Sequence, residues 1–243
     1  LTLTTKAKPC HMLFENTMSV LFVKECIMGK IVALVLAGGR GSRVGAGTPK
    51  QYREICGSSL LRRSLSAFVE HPKIDLVRAV IHSEDRSLYD RETRGLRLEP
   101  PVLGGNTRQQ SALNGLESYR EHNPSKILIH DAARPFVSHE TISRVLDSLN
   151  DNIAVLAASK ITDTIKKQDD EGYVDSTVPR DRLWQAQTPQ GFRYVDILEA
   201  HNKFKDGNYT DDAAIAEAAG HKVRLIDGNE ENFKVTSIED FAR

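Results

Sequence analysis

The chain has 243 residues, with 33 Lys plus Arg balanced by 33 Asp plus Glu and 40% hydrophobic residues. A length of this order suits one domain, or one with a small appendage, on the usual scale of about 100–200 residues per domain. The balanced charge excludes a bulk basic field for nucleic acid or an anionic membrane, so any phosphate affinity must be local.

Cys10, Cys26 and Cys56 are odd in number and lack a Cys-x-x-Cys spacing. Such usage points to a reducing, cytoplasmic compartment and away from a disulfide framework or a zinc site. Residues 12–28 are partly apolar, but Glu15, Lys24 and Glu25 interrupt them, so they form neither a spanning helix nor a signal segment. Residues 1–29 read as a poorly ordered N-terminal extension, with the domain covering 30–243.

Apolar runs then alternate with amphipathic ones, the pattern of an α/β fold with a mostly parallel sheet flanked by helices. Residues 31–36 are the first strand. Ser59 caps a helix through Val69, ended by His71-Pro72, and residues 76–81 form the second strand. A short strand at 98–103 precedes a helix at 107–119, a buried strand at 126–130, a helix at 139–149 and a strand at 153–158. From about 160 to 184 the chain reads as a polar β-hairpin arm turning at Gln168-Asp169-Asp170-Glu171-Gly172. An arm with so little core must lie on something, and a second subunit is the economical choice. Helices at 195–204 and 211–219 and strands at 223–226 and 233–235 complete the expected order.

The most informative segment is Leu34-Val35-Leu36-Ala37-Gly38-Gly39-Arg40-Gly41-Ser42-Arg43, followed by Thr48-Pro49-Lys50-Gln51-Tyr52. Glycines let backbone N–H groups approach an anion, and Arg43 and Lys50 add charge, so the expected ligand is a polyphosphate. No Gly-Lys-Ser or Gly-Lys-Thr occurs, which excludes a Walker loop. Val44 follows Gly39 and Gly41, and residues 55–69 contain no acid, which argues against a dinucleotide fold. A second glycine turn, Gly104-Gly105-Asn106-Thr107-Arg108-Gln109-Gln110-Ser111, opens a helix whose free N–H groups, with Asn106 and Ser111, suit a base or ribose edge. His130-Asp131-Ala132-Ala133-Arg134-Pro135 ends a buried strand where open α/β sheets place ligands. There Asp131 suits Mg²⁺, directly or through water, and Arg134 can brace that acid or touch phosphate.

These motifs, in this order, resemble the 2-C-methyl-D-erythritol 4-phosphate cytidylyltransferases from about residue 30 to 243. The resemblance implies a single Rossmann-like nucleotidyltransferase domain with a protruding β-arm, acting as a homodimer through that arm. It implies transfer of CMP from CTP to 2-C-methyl-D-erythritol 4-phosphate, with Mg²⁺ or another divalent cation. Ala37, Gly38, Gly39, Gly105, Asn106, Ser111 and Ala132 then line the nucleotide. Asp131, Arg134, Thr164, Arg180, Thr188, Thr210 and Lys234 contact the acceptor, and Arg43, Lys50, Arg180 and Lys234 are the catalytic cations. Asn106 stands where the family usually has an acid and Leu36 where it often has proline. Some relatives are fused to the cyclodiphosphate synthase of the same pathway. The competing expectations are a ribitol 5-phosphate or other polyol phosphate cytidylyltransferase, and a CTP-binding module without turnover.

Overall fold

The computed structural model describes residues 29–39 and 47–242; Arg43 and the proposed extension up to residue 28 lie outside them. Seven strands form one sheet in the order β11-β7-β10-β6-β1-β4-β5. These are β1 (Ile31–Ala37), β4 (Leu76–Ile81), β5 (Val102–Leu103), β6 (Lys126–Asp131), β7 (Ala154–Lys160), β10 (Trp184–Arg193) and β11 (Val223–Asp227), with β2 (Glu54–Ile55) and β3 (Ser58–Ser59) pairing as a small hairpin. β1 pairs in parallel with β4 and β6, β4 with β5, and β7 with β11, while β10 runs antiparallel to both β6 and β7.

Burial on both faces explains why β1 is a continuous apolar run rather than an alternating one. Ala33, Val35 and Ala37 join one core with Leu61, Leu65 and Phe68 of α1 (Leu60–Val69), Tyr89 of α2 (Arg86–Glu92) and Ile142 and Val145 of α4 (His139–Ser148). Val32 and Leu34 join the other, with Leu116 of α3 (Arg108–Glu117), Ile197 of α5 (Tyr194–Lys203) and Ile215 of α6 (Asp212–Ala218). The result is a sheet between two helical layers. Ser59, Thr107, Ser138 and Asp211 each accept a backbone N–H at a helix start, contacts that contribute about 1 kcal/mol apiece.

Three elements depart from the sequence expectation. Residues 184–193, to which the sequence reading assigns no element beyond the arm's end at 184, form the longest strand of the sheet. Pro189 and Gly191 disguise it, since neither favours a strand interior. Both have a place: the pairing of β10 with β7 shifts register between Ala186 and Gln190, around Thr188-Pro189. A Cβ on Gly191 would meet Val145 Cγ1 of α4 at 2.4 Å. The strand expected at 98–103 pairs only over Val102–Leu103, because Pro100 and Pro101 have no N–H to donate. Residues 233–235 form no strand; Val235 N–H donates to Ala133 O (2.8 Å), which lays this segment across the end of β6.

The arm is a two-stranded ribbon of β8 (Ile165–Gln168) and β9 (Val174–Val178), paired with each other in a sheet of their own. It leaves the body between the last residue of β7 and the first of β10, where Lys160 pairs with Trp184.

Candidate active site

A cavity of about 500 Å³ opens at the carboxyl ends of β1, β4 and β6, beside the switch point where connections leave β1 on one side and reach β6 on the other. That is the crevice an open α/β sheet offers to a ligand. Its walls include Ala37, Gly38, Gly39, Lys50, Gly105, Asn106, Ser111, Asp131, Ala132 and Lys234. Ten residues named from the sequence are thus brought together from stretches up to 197 positions apart.

Local hydrogen bonds fix the described flank of the first glycine run and hold the second glycine turn in place. The buried Gln51 amide lies 2.8 Å from Ala37 O and 3.1 Å from Gly39 O, clamping the mouth of the first turn. It is also 3.4 Å from Asp85 Oδ2. In the second turn Gly105 N–H donates to Ser111 Oγ (3.1 Å), and Ser111 donates to Thr107 O (2.9 Å). Asn106 N–H donates to Gln110 Oε1 (2.9 Å). Such bonds set the turn before a ligand arrives.

Charge enters from five separate stretches of the chain. Lys50, in the short helix after Pro49, donates through Nζ to Val235 O (2.9 Å) and ties the first turn to the late segment. Lys234, next in sequence to Val235, donates to Asp131 Oδ2 (2.7 Å). Arg108 at the start of α3 reaches Asp131 Oδ1 with Nε (3.4 Å) and Asp212 Oδ2 with Nη2 (2.8 Å). Burial alone would raise the Asp131 pKa, but Arg108 and Lys234 outweigh it and hold the carboxyl well below the usual carboxylate range. For Arg108, burial works against the charge, and Asp212 and Asp131 overcome it, leaving the guanidinium more firmly protonated than normal. Three cations, Lys50, Arg108 and Lys234, face two carboxylates, a balance suited to a polyanion.

His130, fully buried behind Asp131, is a structural member of the motif. Its Nδ1 lies 2.9 Å from Thr188 Oγ1 and its Nε2 2.9 Å from Arg134 O. Because Thr188 Oγ1 also accepts Asp131 N–H (3.1 Å), its proton is left for His130 Nδ1, and Nε2 carries the ring proton. Burial lowers the His130 pKa to about 4, so the ring is neutral near pH 7.

The residues expected at the acceptor are spread more widely. The Arg134 guanidinium donates to Asn232 O (2.8 Å) and Ala186 O (3.1 Å), rather than to Asp131. Thr188 directs its hydroxyl into the His130 and Asp131 network. Thr164 and Arg180 are exposed on the arm, where Arg180 Nη1 donates to Thr162 O, and Thr210 is exposed just before the α6 cap. A second cavity of about 500 Å³ lies between the arm base and the late segment, with Arg134, Lys160, Thr162 and Lys234 on its walls. Lys234 therefore stands in the partition between the two cavities.

Sequence reasoning assigned no role to Arg108, Gln51, Asp212 or His201. Arg108 was hidden as one more residue of a capping turn, and its partner Asp212 lies 104 positions away. Among the described residues no group of three or more His, Cys, Asp or Glu is placed to hold a metal. A lone carboxylate whose shell is completed by phosphate oxygens still fits Mg²⁺, which is commonly bound that way. No helix among the described residues is long and apolar enough to cross a membrane.

The family model for 2-C-methyl-D-erythritol 4-phosphate cytidylyltransferase matches residues 31–243. The bifunctional enzyme IspD/IspF of Paramagnetospirillum magneticum is 49% identical over 216 residues, covering 89% of this chain and 56% of that protein. The bifunctional IspD/IspF of Rhodospirillum rubrum is 46% identical, over 89% of this chain and 56% of that one. The chain thus spans about half the length of these curated relatives. Among solved structures, 4-diphosphocytidyl-2C-methyl-D-erythritol synthase of Anaerococcus prevotii superposes with a TM-score of 0.78 at 29% identity, covering 88% of this chain and 93% of that one.

Proposed function

We propose that this chain, which belongs to the 2-C-methyl-D-erythritol 4-phosphate cytidylyltransferase family, transfers CMP from CTP to 2-C-methyl-D-erythritol 4-phosphate. The products are 4-diphosphocytidyl-2-C-methyl-D-erythritol and pyrophosphate. One observation carries this reading: Lys50 and Lys234, 184 positions apart, converge beside Asp131 on a glycine-walled cavity, and Lys234 also faces a second cavity whose walls carry Arg134 and Lys160 along with Glu230 and Asp240. Two adjoining anion sites divided by a lysine suit a reaction that joins two phosphates.

An acceptor phosphate oxygen attacks the α-phosphorus of CTP, forming a P–O bond, while the bond to the bridging oxygen breaks and pyrophosphate leaves with its electron pair. The nucleophile is already anionic, so no strong general base is required. The barrier lies in bringing two polyanions into line. Lys50 neutralises the triphosphate and the charge that grows in the transition state, and Lys234 turns from Asp131 toward the acceptor phosphate. Arg43 is assigned to the same triphosphate from its place in the first turn. The Gly104-Gly105 turn, with Asn106 and Ser111, takes the cytidine end. A divalent cation such as Mg²⁺ would be held by Asp131, directly or through water, and would supply Lewis-acid neutralisation of phosphate oxygens.

Arg180 and Thr164 complete the acceptor site from the arm. The arm strands pair only with each other, and Tyr173 and Val174 on it are 70% and 63% exposed; these features support seating the arm on a second copy of the chain as a homodimer. The odd cysteine count supports a cytoplasmic location. The test is Mg²⁺-dependent pyrophosphate release from CTP with 2-C-methyl-D-erythritol 4-phosphate, beside ribitol 5-phosphate and no acceptor. Release with the first acceptor alone is expected. Release with ribitol 5-phosphate in preference would move the acceptor, and silence in all three would overturn the reading.

A further inference from the structure

Asp212 and His201 touch neither cavity, yet they end a buried chain of charge that begins at Asp131. Both side chains are wholly inaccessible. Asp212 gives one carboxylate oxygen to Arg108 Nη2 (2.8 Å) and the other to His201 Nε2 (3.1 Å). A carboxylate only accepts, so the facing ring nitrogen carries its proton toward Asp212. The carboxyl is held below its ordinary range, because Arg108 and His201 outweigh the effect of burial. The helix start that carries Asp212 is itself fixed to the sheet, since Gln190 of β10 donates to Asp211 Oδ2 (2.8 Å) and accepts Ala213 N–H (2.9 Å). At the other end Gln109, beside Arg108, donates to Phe204 O (2.7 Å) and anchors α3 to the end of α5.

Asp131 has two cationic partners of different kinds. Lys234 is 40% exposed and stands between two cavities, so a phosphate entering either one competes for it. Arg108 is less exposed and is held from behind. If Lys234 turns to a phosphate, Asp131 remains a largely buried carboxylate, and losing both partners would carry a large desolvation cost. Arg108 is the group that prevents this, and it can do so only while Asp212 fixes its guanidinium, because a free arginine side chain carries about 2 kcal/mol of rotamer entropy.

Building on the cytidylyl-transfer reading above, we propose that Asp212, backed by His201, is a positioning residue: it locks Arg108 onto Asp131 so that Asp131 stays in place when Lys234 leaves it for a substrate phosphate. The pair acts through Arg108 and never meets substrate. Its effect therefore appears in the ternary complex, in kcat rather than in the KM for CTP.

The experiment is steady-state pyrophosphate release by the wild-type chain and by Asp212→Asn, Arg108→Lys and the double variant, with folding checked by circular dichroism at the assay temperature. Asp212→Asn is expected to lower kcat about 10- to 100-fold, the size typical of outer-shell positioning partners, with a smaller change in the KM for CTP. The losses should not multiply in the double variant, since both remove one linkage. Should Asp212→Asn fail to fold, His201→Leu and His201→Gln decide, with the glutamine, which keeps a donor for Asp212, recovering most of the kcat that the leucine loses. Multiplying losses, a change confined to KM, or equal kcat for the glutamine and leucine variants would overturn the inference alone. A wild-type chain without turnover would overturn the functional reading with it.

Discussion

The donor cavity and the arm are built on opposite terms. Around the cavity, Asp131, Arg108, Asp212 and His201 are interlocked, Gln51 is bonded to Gly39 O, and Ser111 ties down the second glycine turn. On the arm, side chains are exposed and their contacts stay within the hairpin, as in Lys167 with Asp175 (2.8 Å) and Lys166 with Thr177 (2.6 Å). The contrast teaches that the described cavity walls are fixed by bonds within one chain, while Thr164 and Arg180, which the proposal assigns to the acceptor, sit on an element whose strands pair only with each other.

The largest expected effect tests the preset end. Lys50→Ala should lower kcat at saturating CTP by about two orders of magnitude or more, as loss of a transition-state charge contact does. An effect limited to KM would contradict that role.

Acidification tests the same end through stability. His130 binds its proton less readily folded, at about 4, than in an unfolded chain, near 6.5. Between those values the unfolded state binds more protons, so the contribution is fully present above pH 6.5 and is lost as pH falls toward 4. It amounts to about 3 kcal/mol. Urea melts over that window should show the decline, and His130→Gln should flatten it; an unchanged slope would argue against a neutral buried ring.

Arg180→Ala breaks the contrast from the other side. Acceptor KM should rise about tenfold, an ordinary loss for a charge-assisted phosphate contact, with little change in thermal stability. Mixed with Lys50→Ala protein, after subunit exchange is shown by mass, it should regain activity if the arm completes a partner's site. No recovery would place Arg180 in its own subunit's site. The smallest effect belongs to Lys167→Ala: an exposed pair of this kind contributes about 0–1 kcal/mol, so melting should barely move.

What was legible in the sequence was what is local. β1 declares itself through uninterrupted apolar residues, β4 through an apolar run broken only by Arg78, and α1 through the Ser59 cap and the apolar stripe of Leu61, Leu65 and Phe68. The glycine turns and the His130-Asp131 strand end were equally plain, and they account for most of the donor cavity wall. β10 was not legible, because its proline and glycine answer to a register shift and to the close approach of α4. Neither is visible before the sheet exists. The roles of Thr188 and Arg134 were obscured for the same reason: their polar groups serve peptide atoms brought near only by folding. Arg108, Asp212 and His201 form a chain across three helices, and nothing in their spacing joins them.

The placement of β10 gives the arm mechanical significance. This strand starts at the arm base with Trp184 and runs directly into the interior of the sheet, beside β6, rather than along an outer edge. Only three residues separate Trp184 from Thr188, four steps or at most about 13 Å of extended strand, and the Thr188 hydroxyl is bonded to the peptide of Asp131. The hairpin is thus rooted next to the end of the sheet that carries Asp131, and a pull on it would be passed along the same strand that bonds the peptide of Asp131.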